Sequence, residues 1–252
     1  MNNFYPLSFS SVKELQRGSA AFLAYKNKQG TQPTKAMNLG LLVELLLLQP
    51  DTICDRFLIE PEGINARTAA GQDELLKLSH IAESDNKQLI RRSTKDGYTD
   101  AIRIADAAKN SPHYQMLTDA TNYQEYIVTE IAGVPFHGYI DVVTDAAIVD
   151  VKLCTWASVE QITGYLIERN WREQLAIYWH ATGRKKECGI FAVDRTGQTN
   201  YVQVPESDLL LGYEQVERWT QYLLRCIETD TWEFIDETNT NDLSFYDIKT
   251  LF

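Results

Sequence analysis

Two acidic residues nine positions apart, Asp141 and Asp150, and a lysine two residues beyond the second, Lys152, are the part of this sequence best suited to chemistry. In an extended strand Ile148, Asp150 and Lys152 fall on one face, while Val149, Val151 and Leu153 fall on the other. The apolar set can anchor the strand as Asp150 and Lys152 reach a shared polar cleft. Taken alone, such a pair also reads as an ion pair facing solvent. Asp141 closes the segment GYID, and a strand, a short turn and a neighbouring strand can return residues at this separation to one place. The two carboxylates can then share Mg²⁺, a hard cation that takes oxygen ligands and keeps several waters. Lys152 would lie beside the ion and a scissile phosphate. There its charge stabilises the phosphoryl group, orients water or, with a depressed pKa, accepts a proton; the sequence leaves these roles open.

A third carboxylate stands out by its surroundings. Glu44 interrupts LLVELLLL, where an ionised group needs a cation or several donors if it is buried. A metal ligand satisfies that need; so does a basic partner, and a solvent-facing position removes it. On the segment WREQLAIYW, Gln174 and Tyr178 are four residues apart and share one helical face, where glutamine can orient water and tyrosine can support a phosphate. Glu125 and Glu130 depend on strand register and default to the sheet surface. His137, His80, His113 and His180 lack a second ligand at metal-binding spacing, which favours packing or loop roles. Lys26, Lys28, Lys35 and Arg67 are candidate phosphate contacts, with ordinary surface positions equally consistent. Trp156, Trp171 and Trp179 are expected to pack helices.

The elements that must position these groups can be traced along the chain. A helix is expected after Ser10 or Ser11 through residues 12–28, capped by those serines. A short buried helix over 37–50 must stop near Pro50. An edge strand is expected at 55–60, a loop over PEGINARTAAGQ, and a mainly helical region over 73–120 broken near Gly97 and at Ser111-Pro112. EYIVTEIAG, VPFHGYIDVVT and AAIVDVKLC read as three strands of a meander, followed by helix to Ala181, strands at CGIFAVD and TNYVQVP, and a helix over 207–228. This is an α/β organisation with an antiparallel or mixed sheet flanked by helices, unlike repeated nucleotide-binding βαβ units.

Composition bounds the answer. The 252 residues are 44% hydrophobic and 23% charged, as in a folded globular chain, and no secretory segment is visible at the start. Leu39 to Leu48 is too short to span a bilayer, so no membrane association is expected. Four scattered cysteines fit a reducing cytoplasm. The net charge of −11 argues against an exposed nonspecific nucleic-acid binder, yet it is unevenly spread. Residues 1–36 carry five basic residues against one acidic, and residues 206–252 eleven acidic against three basic. A basic channel beside an acidic outer surface is compatible with that distribution.

In order, these motifs resemble the PD-(D/E)xK nuclease superfamily, especially phage exonucleases and RecE and RecB-like nuclease domains. Asp141 matches the first acidic position, Asp150-Val151-Lys152 the second motif, and Gln174-x-x-x-Tyr178 the following helical motif. Gly40-Leu-Leu-Val-Glu44 matches a glycine-led helix that often ends in histidine, so Glu44 is a departure that favours Mg²⁺ or Mn²⁺. The resemblance runs over about residues 8–181 and implies a restriction-endonuclease-like core hydrolysing phosphodiester bonds, with linear duplex DNA as substrate. It implies Glu44, Asp141, Asp150 and the carbonyl of Val151 as metal ligands, and Asp141, Asp150, Lys152, Gln174 and Tyr178 as the catalytic set. It further implies a phage or prophage recombination setting, with a single-strand annealing protein as partner and a ring-like homo-oligomer. The expected organisation is one nuclease domain over 1–252: a mainly helical part to 122, a catalytic core over 123–205 and an acidic helical extension over 206–252. The alternative is a catalytically silent nucleic-acid-binding or assembly protein that keeps the nuclease fold.

Overall fold

Ser8 starts the first helix, because its hydroxyl accepts the Ser11 amide while the Ser11 hydroxyl accepts the Ser8 amide in return. The computed structural model describes residues 6–27 and 33–233. The helix expected over 12–28 divides into α1 (Phe9–Val12), a 3₁₀ segment (Lys13–Arg17) and α2 (Ser19–Asn27). Gly18 separates them at φ 110°, a backbone setting that ends a helix and suits glycine. Lys28 lies outside the described residues. Thr34 caps α3 (Lys35–Leu48) by accepting the Met37 amide.

Next come α4 (Ile53–Arg56), β1 (Phe57–Ile59), α5 (Ala69–Ser84), β2 (Gln88–Ile90), α6 (Tyr98–Lys109) and α7 (Gln115–Thr118). The strand expected at 55–60 forms as β1, but it pairs in parallel with β2 in a separate two-stranded sheet. The segment 88–90 within the expected helical region is therefore extended.

The main sheet is built from β3 (Asn122–Ile131), β4 (Val134–Val143), β5 (Ala147–Cys154), β6 (Glu187–Asp194) and β7 (Thr199–Val204), ordered β3-β4-β5-β6-β7. All neighbours are antiparallel except β5 and β6. A parallel pair needs a long crossover, supplied here by α8 (Val159–Glu168) and α9 (Trp171–Ala181). The architecture is α/β, a central mixed sheet flanked by helices, as the strand and helix patterning implies.

Period-two alternation gives the sheet two apolar faces. On one, Val142, Val149, Val151 and Phe191 pack with Leu39, Leu42 and Leu46 of α3 and Ile104 of α6. On the other, Ile140, Ile148 and Ile190 pack with Leu175 of α9 and with Val216, Trp219 and Leu223 of α10 (Glu206–Thr229). Each such side chain contributes roughly 1.5–3 kcal/mol when fully buried. Helix α10 lies close on α9 because Gly212 has no side chain: a Cβ there would stand 2.9 Å from the Arg172 carbonyl oxygen. Trp171 and Trp179 are buried as expected, whereas Trp156 is 61% exposed. Trp156 follows β5 directly, where the chain has left the sheet and no covering helix has begun.

Candidate active site

The pairing of β4 with β5 stops at the residues singled out by chemistry. Val142 is opposite Val149 and Val143 opposite Ile148, so the next pair in this register is Asp141 with Asp150. The backbones part there. The Val151 amide donates to the Asp141 carboxylate (Oδ2) at 2.8 Å. A side chain thus replaces a ladder bond and holds open the place where two strands diverge.

The same disruption occurs in β3. Tyr123 pairs with Val142 and Glu125 with Ile140, while Gln124, opposite Asp141, drops out of the ladder with φ 51°. The side-chain faces change over at this point. Tyr123 packs with the α3 core and Ile127 with the α9 core, although both are odd-numbered; Val142 and Ile140 differ in the same way. A non-glycine residue in the left-handed region costs of order 1–3 kcal/mol and persists where surrounding contacts fix it. Those contacts are visible: Gln124 Nε2 donates to Glu44 Oε1 at 2.8 Å and to Asp141 Oδ1 at 3.2 Å.

Glu44 is thus brought to the sheet by α3, whose buried leucines dock its other faces. Burial, with the negative charge of Asp150, raises its carboxyl to about 7 against the opposing pull of Lys152, Arg56 and the Gln124 bond. Asp141 is likewise raised well above the usual carboxylate range, by burial first and then by Asp150 and Glu44. Asp150 is 1% exposed; its Oδ2 lies 2.6 Å from Lys152 Nζ, and its Oδ1 has no hydrogen-bond donor among the described residues. For Lys152 burial favours the neutral amine, but Asp150 and Asp141, then Tyr178, outweigh it and hold the ammonium above its ordinary value. In this arrangement Lys152 is a fixed cation, and the proton-accepting role that a depressed pKa would allow is not the one its surroundings favour.

The α9 face arrives from the opposite side. Gln174 Nε2 donates to the Tyr178 hydroxyl at 2.8 Å, and Tyr178 is buried. Burial and the charge of Asp150 raise its phenol above the ordinary value, with Lys152 opposing. Gly138 makes this approach feasible, since a Cβ there would meet the Tyr178 ring at 3.2 Å. Glu44, Asp141, Asp150, Lys152, Gln174 and Tyr178 therefore lie around one centre, and the Val151 amide belongs to it. Glu125 is elsewhere, accepting the Asn122 side-chain amide at 2.9 Å. His137 packs edge-on to Tyr126, and Glu130 lies on the exposed surface.

Gln124 is the residue that pattern reading misses. Its neighbour Glu125 is the more obvious candidate by residue type, and only the reversal of faces at the distorted position exchanges the two. Arg56, at the end of α4, is a second omission; nothing in its sequence context points to Glu44.

The donor set suits a hard cation. Three carboxylates, two of them buried, face one lysine, and the buried Asp150 Oδ1 has no donor among the described residues. Among the described residues no group of three or more histidine, cysteine or acidic side chains converges closely enough to hold an ion as placed. The Gln124 amide and the Lys152 ammonium stand against the carboxylate oxygens instead.

The sequence matches the model of the PDDEXK-like domain of unknown function (DUF3799) over residues 8–234. The chain belongs to this family. Its fold is similar to the crystal structure of a candidate exonuclease from Eubacterium rectale, with a TM-score of 0.66 at 14% identity, over 93% of this chain and 86% of that one. The protein SSO0001 aligns over 86% of this chain and 84% of its own at 10% identity, with a TM-score of 0.33. Curated protein sequences give no match. A nuclease-like fold is thus established, and among the described residues no helix is long and apolar enough to cross a membrane.

Proposed function

We propose that this protein is a divalent-metal-dependent deoxyribonuclease that digests linear duplex DNA from its ends. The observation that carries the reading is the electron-rich centre itself: Glu44, Asp141 and Asp150 gathered beside Lys152, with one buried Asp150 oxygen lacking a donor. Glu44, Asp141, Asp150 and the Val151 carbonyl would hold Mg²⁺ or Mn²⁺. The bound ion would supply Lewis-acid polarisation and a water of lowered pKa.

The chain's own residues account for the rest. Lys152, held as an ammonium, stabilises charge developing on the phosphoryl oxygens. Asp150 fixes that ammonium in direction. Tyr178 is buried beside the pair with its hydroxyl engaged by Gln174, and Gln174 retains amide oxygen capacity for a water or a substrate group.

The restriction to ends is supported by the superfamily resemblance and by the description of the Eubacterium rectale structure as a candidate exonuclease; a ring-like homo-oligomer, a single-strand annealing partner and a phage or prophage setting rest on the superfamily resemblance alone. The four free cysteines support a reducing cytoplasm. Incubation with end-labelled linear duplex, covalently closed circular DNA and RNA, with Mg²⁺ or with chelator, tests the proposal. Metal-dependent release of label from the linear duplex alone is expected. Cutting of closed circles would refute the exonuclease assignment, and intact DNA with metal bound would favour the catalytically silent alternative. A monomer in sedimentation at working concentration would refute the ring.

A further inference from the structure

A primary carboxamide carries two hydrogens on nitrogen. In Gln124 both are committed, one to Glu44 Oε1 at 2.8 Å and the other to Asp141 Oδ1 at 3.2 Å. Both acceptors are carboxyl oxygens, and in their ionised form they can accept only from the nitrogen, the orientation the side chain takes here. Gln124 reaches them from a left-handed position outside the β3 ladder, opposite Asp141. The chain forgoes regular pairing at the one residue whose side chain bridges the helix carboxylate and the sheet carboxylate.

We propose that Gln124 is an internal substitute for the cation: its amide holds Glu44 and Asp141 together in the metal-free protein and must release at least one of them when a divalent ion enters. This rests on reading the centre as a metal site. Each lone pair directed at an amide hydrogen is unavailable to an ion, so the glutamine competes with the metal while keeping the ligands from dispersing. Gln124 is therefore a positioning residue that lowers cation affinity and sets the metal concentration at which the centre fills. A scaffolding glutamine would have the opposite effect on removal, because losing it would disorder the ligands and weaken binding.

The test uses the full chain stripped of metal, titrated calorimetrically with Mn²⁺ alone, without DNA, beside thermal unfolding with and without the ion. Gln124→Met keeps the length of the side chain and removes both donors. It is expected to unfold at lower temperature without metal, to bind Mn²⁺ about tenfold more tightly, and to gain more from the ion than the native protein does. Tenfold corresponds to about 1.4 kcal/mol, the loss of one hydrogen bond to a charged group. Gln124→Asn serves if the methionine variant does not fold, since asparagine tolerates the left-handed backbone but is too short to span both carboxylates. Severalfold tighter binding is expected for it. Unchanged or weaker Mn²⁺ binding in the folded variants, with the native protein binding and Asp150→Asn abolishing it, overturns the substitute role alone. Absence of binding in the native protein overturns the metal centre as well.

Discussion

Replacing Lys152 by methionine asks the most of the centre, because it removes a charge and keeps the length of the side chain. Asp150 is 1% exposed, and Lys152 Nζ lies 2.6 Å from its Oδ2; among the described residues its Oδ1 has no donor to fall back on. Breaking a buried pair from one side costs about 3–5 kcal/mol, since the surviving charge stays desolvated. The Lys152 side chain is itself 22% exposed, so the lower end, about 3 kcal/mol, applies. At roughly 2–4 °C per kcal/mol for a chain of this size, unfolding in chelator at pH 7 should fall by about 6–12 °C. Lys152→Met/Asp150→Asn removes both charges and should recover most of that loss, giving a coupling of about 2 kcal/mol in the double-mutant cycle. Mg²⁺ should restore part of the stability of Lys152→Met and little of the double variant, and neither should cleave DNA. A Lys152→Met protein that unfolds within about 1 °C of native in chelator would show that the pair is solvated, and the reasoning would fail.

Glu44→Gln should reduce Mg²⁺ affinity, measured by calorimetry, and DNA cleavage about tenfold or more, while leaving metal-free unfolding little changed below about pH 4.5 and making the metal-free protein more stable than native at neutral pH. A carboxyl raised from 4.5 to about 7 binds its proton more tightly in the folded state, so its contribution is full below 4.5 and is lost as pH rises to about 7. Metal-free unfolding followed across that window should show a steeper decline in the native protein than in Glu44→Gln, which keeps only the raised Asp141. Gly138→Ala drives a methyl toward the Tyr178 ring and should cost about 1–2 kcal/mol in urea unfolding and slow cleavage beyond the loss of folded protein. Gly212→Ala forces α10 from α9 and should cost about 1–3 kcal/mol in the same measurement, with cleavage per folded molecule retained. Trp156→Ala should leave unfolding within about 0.5 kcal/mol of native, because its ring is exposed.

What was legible in the sequence follows from where regular periodicity holds. The β5 alternation places Val149 and Val151 in the α3 core and Ile148 in the α9 core, as a period of two requires, and Asp150 and Lys152 can be placed from it. Glu44 is conspicuous because every close neighbour on its helix is apolar. Gln124 was illegible for the complementary reason: at a distorted strand position parity reverses, and no residue-type rule locates the reversal. The helix expected over 12–28 shows the same limit at Gly18, where one backbone angle interrupts a segment read as a single helix. The separate pairing of β1 with β2 depends on contacts made after the intervening helix has turned back, which local composition does not encode.

The connection of Glu44 to the other carboxylates spans 80 residues at its Gln124 bond, whereas Asp141 and Val151 meet across a hairpin with a separation of 10. Closing the short loop carries a small entropic penalty and needs few correct contacts elsewhere; seating α3 on the sheet requires the long intervening chain to be in place. The β3–β5 meander is thus expected to form early in folding and to wait, with its acidic pair prearranged, for the helix that completes the centre. Hydrolytic competence would then appear only with the last long-range docking step, so a nascent or partly unfolded chain would carry most of the residues of the centre without the means to cut.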